Sequence, residues 1–387
     1  MSSKAKAIAV FDISSSSVGG AHALIERGDG EKNSVNFLVQ ERRDSGLEEE
    51  LNIERFVEDT AKALEVVISH VRTADVHHPE FIQVVLSSPW YNAYTRTITY
   101  TKLAPFTCTK RLVNSLIEKE IDFLLKQPAA NGAPFGEGFK VVEQQLSQVL
   151  LNGYESSDPY GKKAESLELT LTVTLTPEIV VERFTSIIRR SYGDRTINVT
   201  TGPHAAFVAL RDNGGIEANS VIIDVGEEVT DVAFVKNGLF LSQHSFPVGT
   251  YELYHALSAS TGSTLEARAL VEGYRLAKLS PNSMRIVEKS LQSFSESWIQ
   301  ALRTIVEQGQ VGFHFPSYCY VCADNRFETI FTTLVMADPY LKHNTVSQDI
   351  QALFVDVLQL SANVKNANSE HVDTALLLGA LFSERLL

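Results

Sequence analysis

Only three cysteines occur in 387 residues, so no disulfide framework is on offer and the chain suits a reducing compartment. Long apolar runs are missing too: no stretch approaches the roughly 18–20 residues that a membrane-crossing helix needs. Positive charge is scarce. Lysine and arginine total 34 against 47 acids, giving a net charge of −13, which argues against a broad electrostatic grip on nucleic acid or anionic lipid. Low-complexity tracts and short-period repeats are absent, and Met1 to Lys6 leads straight into a strand-like run without a signal-peptide pattern. These shortages point to a soluble, cytoplasmic protein. Its 44% hydrophobic and 21% charged content is that of a globular chain, and its length allows two or more domains or subdomains.

What the sequence does contain is organised around Val221 to Val235. An apolar run leads into Asp224, a turn follows with Gly226 in it, and Thr230-Asp231 opens a second apolar run. A weaker counterpart begins at Ala7: apolar residues up to Phe11, then Asp12, a serine turn from Ser14 to Ser17, and Gly19-Gly20. Small turn residues let backbone N–H groups approach an anion, and a carboxylate beside them holds a hydrated Mg2+ or orients water. Asp224, Gly226, Thr230 and Asp231 meet that requirement. An ordinary hairpin with polar turn residues would read the same way, but the second unit at Asp12 favours a phosphate site between two related lobes.

Between these units the spacing predicts three antiparallel strands over 6–40 and an amphipathic helix over 50–72. A strand follows at Phe81 to Ser87, then a second helix through Leu112 to Leu125. Leu167, Leu169, Leu171, Val173 and Leu175 alternate with polar partners, the pattern of a half-buried strand. Thr176-Pro177 then reads as an N-cap with proline in the first helical position, opening a helix from Glu178 to Tyr192. Residues 74–192 are expected to be an α+β insertion. After Val221 the pattern gives a three-strand unit, helices near 250–260, 264–278 and 282–307, and a strand at Tyr318 to Ala323. A helix at Arg326 to Val335, an irregular stretch over 337–350 and helical segments at 350–359 and 373–385 complete the chain.

The paired units Asp12 to Ser17 and Asp224 to Asp231 resemble the phosphate-1 and phosphate-2 hairpins of the actin-like ATPase superfamily. The insertion after the first helix is similar in position to that of the FtsA/PilM branch. So are Leu151 to Gly161 followed by Leu167 to Leu171, and Phe246-Pro-Val-Gly249. The resemblance spans nearly the whole chain and rests on order and spacing. It implies an α/β, actin-like (ribonuclease H-like) two-lobe ATPase fold with an inserted α+β subdomain of FtsA type. The first lobe would cover 1–73 and resume at 193–219 and about 360–387. The insertion would cover 74–192, and the second lobe 220–359 with an α-rich part at about 249–310. ATP or ADP with Mg2+ is the implied cofactor. Asp12 and Asp224 would hold the metal through water, Ser14, Ser15 and Ser16 and Gly226 to Thr230 would cradle phosphates with Asp231 beside them, and helix 264–278 would face the base.

The chain departs from the family pattern at three places. Ser14 stands where the first hairpin has glycine and Gly19 near the place of its lysine, so the cationic point charge is missing. Gly202 in Thr201-Gly-Pro-His-Ala-Ala206 takes the place of the glutamate that orients attacking water. Tyr318 to Asn325 lacks the two glycines of the adenosine motif. The expectation is at most a weak ATPase. It would be a cytoplasmic scaffold that binds ATP and links or polymerises in a cell-division or pilus assembly machine, with protein partners and no nucleic acid. The alternatives are a nucleotide-free pseudo-ATPase module and a small-molecule kinase. Ser383 to Leu387 falls within the expected last core helix, so membrane contact is expected through a partner.

Three other features invite chemistry but read more simply. Cys319 and Cys322 lie three apart on a strand, on opposite faces, and cannot share one ligand. His77, His78 and His204 lack partners at metal spacing. Glu48 to Glu50 reads as a solvated helix start.

Overall fold

A computed structural model describes residues 5–14, 16–26, 34–45, 53–75, 77–126, 138–308, 314–347, 349–357, 360, 364 and 372–386. Ser15 and Glu48 to Glu50 lie outside the described residues. The chain opens with strands β1 (Lys6–Ile13), β2 (Ser17–Glu26) and β3 (Ser34–Asp44), helix α1 (Ile53–Ala74) and strand β4 (Phe81–Leu86). Next come β5 (Asn92–Thr107), α2 (Lys110–Lys126), β6 (Phe139–Leu151), β7 (Tyr154–Glu155), β8 (Lys163–Pro177) and α3 (Glu178–Tyr192). Strand β9 (Thr196–Thr201) and helix α4 (Gly202–Ala209) lead to β10 (Ser220–Val225), β11 (Thr230–Lys236) and β12 (Leu239–Phe246). Helices α5 (Thr250–Thr261), α6 (Thr264–Arg275) and α7 (Pro281–Gln308) precede β13 (Tyr318–Cys322). Helices α8 (Glu328–Ala337) and α9 (Pro339–His343), strand β14 (Gln351–Phe354) and helix α10 (Thr374–Ser383) end it.

Two five-stranded sheets share one plan. The first runs β3-β2-β1-β4-β9 and the second β12-β11-β10-β13-β14. In each, three antiparallel strands are followed by two that add in parallel. The duplication suspected from Asp12 and Asp224 is therefore structural. Asp12 faces Gly19 on β2 and Val85 on β4, and Asp224 faces Asp231 on β11 and Cys322 on β13. Both aspartates stand near the carboxyl ends of parallel strands, where open α/β sheets place their ligands.

Side-chain alternation then fixes the layers. Ala9, Phe11 and Ile13 of β1 pack on Val57, Leu64 and Val67 of α1 and Phe184 and Ile188 of α3. Ile8 and Val10, on the other face, join α4, α10 and the second sheet's Ile222, Ala233 and Val235 in a core that runs between the lobes. Val221 and Ile223 face the opposite way, into α5, α7 and α8. Cys319 sits in that outer core and Cys322 in the shared one, so the two buried thiols do lie on opposite faces.

The third sheet, β5-β8-β6-β7, has its own core with α2, in which Leu167, Leu169, Leu171, Val173 and Leu175 are buried as their alternation implies. Two ends of the expected 74–192 insertion belong elsewhere: β4 pairs with β1, and α3 packs on α1. The proline at 177 also acts differently from the expectation. Thr176 pairs with Lys140 inside β8, and Pro177, with an extended backbone, is itself the residue before the helix and gives no side-chain cap. Of the stretch 350–359 expected to be helical, residues 351–354 form β14, parallel to β13, and the 337–350 region holds the short helix α9. Among the described residues no helix is long and apolar enough to cross a membrane.

Candidate functional site

A cleft of about 350 Å3 opens between the two sheets at their carboxyl ends. The topology brings Asp12, Ser14, Ser16, Asp224, Gly226 and Asp231 to its wall, and Arg268 reaches it from α6. Seven carboxylates and three arginines line it. How those charges are paired decides what the cleft can hold.

Arg42 was not anticipated. It lies on β3 directly opposite Gly19 of β2, and a Cβ at position 19 would stand 2.6 Å from its Nη2. The bare glycine thus gives the guanidinium room to cross the sheet. Arg42 Nη2 donates to Asp12 Oδ2 at 2.7 Å, Nε and Nη2 donate to Asp373 at 2.5 and 3.1 Å, and Nη1 donates to Ser17 Oγ at 2.8 Å. A cation is therefore present near the place of the missing lysine, but it arrives from the third strand already bound to two carboxylates. Burial pushes the Asp12 carboxyl up despite Arg42. At Asp373 burial acts the same way but is outweighed by Arg42 and by the N–H groups of α10, which it caps through Leu376, so that carboxyl is held low.

The serine turn is closed on itself. Ser14 Oγ donates to Ser17 O at 2.9 Å and accepts from Ser17 N at 3.1 Å, while Ser14 N donates to Ser17 O. Ser16 reaches the opposite hairpin and bonds Glu227. On that side Gly226 N donates to Val229 O, and the carbonyls of Gly226 and Glu227 accept from Thr250 N and Tyr251 N at the start of α5. Glu227 itself leans into the cleft. Its Oε2 is buried without a hydrogen-bond partner, and burial, aided by neighbouring Glu228 and Asp44, raises its carboxyl to about 7.

The three remaining predicted residues differ in their surroundings. Asp224 lines the cleft, and among the described residues no arginine is paired to it; burial, then the like charges of Asp231 and Asp12, pushes its carboxyl well above the usual range. Asp231 is 2% exposed and accepts from Tyr91 Oη at 2.9 Å and Ser245 Oγ at 2.7 Å. Thr230 faces the core instead of the cleft. Its hydroxyl donates to Val248 O at 2.7 Å and accepts from Trp298 Nε1 at 3.0 Å.

Gly202 opens α4 against Asp224. A Cβ there would lie 2.5 Å from Asp224 Oδ2, so a side chain at this position would have to displace the Asp224 carboxylate. Past β13, Asp324 binds Arg326 through Nε and Nη2 at 2.8 and 2.7 Å, and both residues line the cleft with Phe327, next to the segment that lacks the two glycines of the family's motif. Arg268 pairs with Asp44 across the cleft at 2.9 Å. Each of the three arginines is thus committed to a carboxylate. Among the described residues the lining therefore offers a triphosphate no unpaired arginine or lysine; Mg2+ held through water by Asp224 would be the one cation facing the phosphates.

His204, at the first turn of α4, donates through Nδ1 to Glu143 of β6 at 2.8 Å. Glu143 also accepts from Thr200 Oγ1, from Thr201 Oγ1 at 2.9 Å and from Thr201 N at 3.2 Å. His77 binds Asp75. Among the described residues no group of three or more metal-ligating side chains converges.

No family model and no curated protein sequence matches the chain. Solved structures do. A chain of the PilM–PilN type IV pilus biogenesis complex superposes with a TM-score of 0.65 at 12% identity, over 98% of each chain. The chain has the actin-like ATPase fold. The ethanolamine utilization protein EutJ from Carboxydothermus hydrogenoformans matches over 97% of this chain and 90% of its own, at 11% identity and a TM-score of 0.46. MamK bound to AMPPNP matches over 98% of both chains at 10% identity and a TM-score of 0.40. At these identities the likeness to the PilM–PilN chain concerns fold alone, and the two weaker superpositions add nothing to it.

Proposed function

We propose that this chain is a non-hydrolysing, actin-like scaffold protein that works through protein partners in an envelope assembly of the pilus or division type. The arginines of its interlobe cleft are paired with its own carboxylates. The observation that carries the proposal is the charge pairing in the cleft: Arg42 on Asp12 and Asp373, Arg268 on Asp44 and Arg326 on Asp324. Stabilising the spread charge of a phosphoryl transition state requires cations aimed at it, and here each is spent on a carboxylate. Gly202, with no side chain and with Asp224 beside it, supplies no group to orient an attacking water, which supports the absence of hydrolysis independently. The PilM–PilN likeness supports the partner class.

A nucleotide-clamped scaffold is the second reading, favoured by the matched positions of Asp12 and Asp224 on the two hairpins. Calorimetry with Mg·ATP separates the two, with Asp224→Ala as the control. The expected result is no saturable heat for either protein. Saturable one-to-one binding that Asp224→Ala abolishes would establish the clamped reading instead. Electron microscopy with and without ATP tests self-polymerisation, and filaments that form only with ATP would count against a nucleotide-independent scaffold.

A further inference from the structure

Relative lobe motion is the default in a two-lobe fold unless the shared interface is large and apolar; in this one Ile8 and Val10 already meet Ile222 and Ala233 in a common core. Here a second connection runs behind the cleft. β12 is the outer strand of the second sheet, and such an edge needs covering; the inserted sheet supplies the cover, with β5, β6 and β8 lying against β12. The contact is polar and buried. Tyr91, in the loop between β4 and β5, donates to Asp231 Oδ2 at 2.9 Å and accepts from Gln243 Nε2 at 3.2 Å. Gln243 N donates to Thr95 Oγ1 of β5 at 3.3 Å, and Thr172 Oγ1 of β8 donates to Leu241 O at 3.5 Å. Tyr91, Asp231 and Gln243 are each 2% exposed.

At its other end the same module is fixed to the first lobe. Glu143 of β6 accepts four hydrogen bonds from Thr200, Thr201 and His204. Rotation of the second lobe would draw β12 off β5 and break the hydrogen bonds of Tyr91 with Asp231 and Gln243 and of Gln243 N with Thr95, bonds that are costly to lose from a buried site. The front of the cleft offers less: Asp44 of the Arg268–Asp44 pair is well exposed, and such pairs contribute little.

We infer that the inserted sheet is a strut between the lobes, pinned by Tyr91, Asp231 and Gln243, and that it holds the interlobe angle with no ligand in the cleft. The strut gives a physical basis for the nucleotide-independent scaffold and rests on that reading for its functional meaning alone. Asp231 then serves as a fastening, not as a phosphate ligand. A fixed angle presents one constant surface to a partner.

The test uses the full chain. Tyr91→Phe removes the phenol oxygen with little change of volume, and Thr95→Val removes the acceptor of the Gln243 amide while keeping the shape. Hydrogen exchange by mass spectrometry should quicken in 239–246 and 92–97 by about tenfold in each variant, the factor for losing one buried hydrogen bond. Peptides from β1 and β10 should exchange as before. Small-angle scattering should show a larger radius of gyration for Tyr91→Phe, and Mg·ATP should leave the wild type unchanged. Unaltered exchange across β12 and β5 overturns the strut, as does a uniform rise along the whole chain or an unchanged radius of gyration. If Thr95→Val alone folds, its exchange pattern decides. Wild-type binding of Mg·ATP with a strut that still loosens in Tyr91→Phe would remove the nucleotide-independent function and leave the strut standing.

Discussion

Replacing Glu227 with glutamine tests the electrostatics of the cleft directly. At neutral pH the native protein holds this carboxylate against burial and beside Glu228 and Asp44, which is why its carboxyl is raised from 4.5 to about 7. Because the folded state binds that proton more tightly than the unfolded chain, the contribution of this group to stability is fully present below about 4.5. It is lost as pH rises through about 7. The full shift corresponds to about 3 kcal/mol; water enters the cleft and screens part of it, so about 1–2 kcal/mol is the expected gain on removing the charge at pH 7.5. Glutamine keeps an oxygen that can accept from Ser16, so the bridge between the hairpins is preserved. With an unfolding entropy of about 0.8 kcal/mol/K for a chain of this size, the melting temperature of Glu227→Gln should rise by about 1–3 °C at pH 7.5. The gain should shrink to a fraction of that at pH 5. Thermal unfolding of both proteins at the two pH values reads this out. An equal rise at both, or a fall at pH 7.5, would refute the argument.

Two further substitutions probe the same walls. Arg42→Ala leaves Asp12 and Asp373 without their cation; losing one partner of a buried pair costs about 3–5 kcal/mol. The partial exposure of Arg42 reduces this to about 2–3 kcal/mol, or about 3–4 °C in melting temperature, and a loss under about 1 °C would mean the network is inert. Gly202→Ala should destabilise by about 1–3 kcal/mol through the contact with Asp224. Asp224→Ala in the same chain should restore most of that loss, and simple additivity of the two changes in denaturation would rule the contact out.

Much of this was legible in the sequence because it is local. The apolar runs into Asp12 and Asp224, the alternation of β8 and the helix from Glu178 to Tyr192 are patterns within one element. Thr230 was also readable in principle: adjacent residues on a strand face opposite sides, so Thr230 and Asp231 could not both face the cleft. The stretch around Gln351–Phe354 is short and apolar, which periodicity alone cannot assign to helix or buried strand; its parallel partner β13 decides it. Arg42 was beyond local reach. Its role depends on the register that sets it against Gly19 and on Asp373, 331 positions later. The one available hint was a glycine facing a long cation once the hairpin is paired.

The Gly19–Arg42 arrangement also bears on how such a site can change with descent. Any side chain at position 19 would bring a Cβ against the Arg42 guanidinium, while loss of Arg42 would leave Asp12 and Asp373 without it. Position 202 is blocked by Asp224 in the same manner. Changes at positions 19, 42 and 202 each disturb a charge pairing of the cleft, so their effects depend on one another. Substitutions in the cleft are thus coupled to one another by steric and electrostatic contacts.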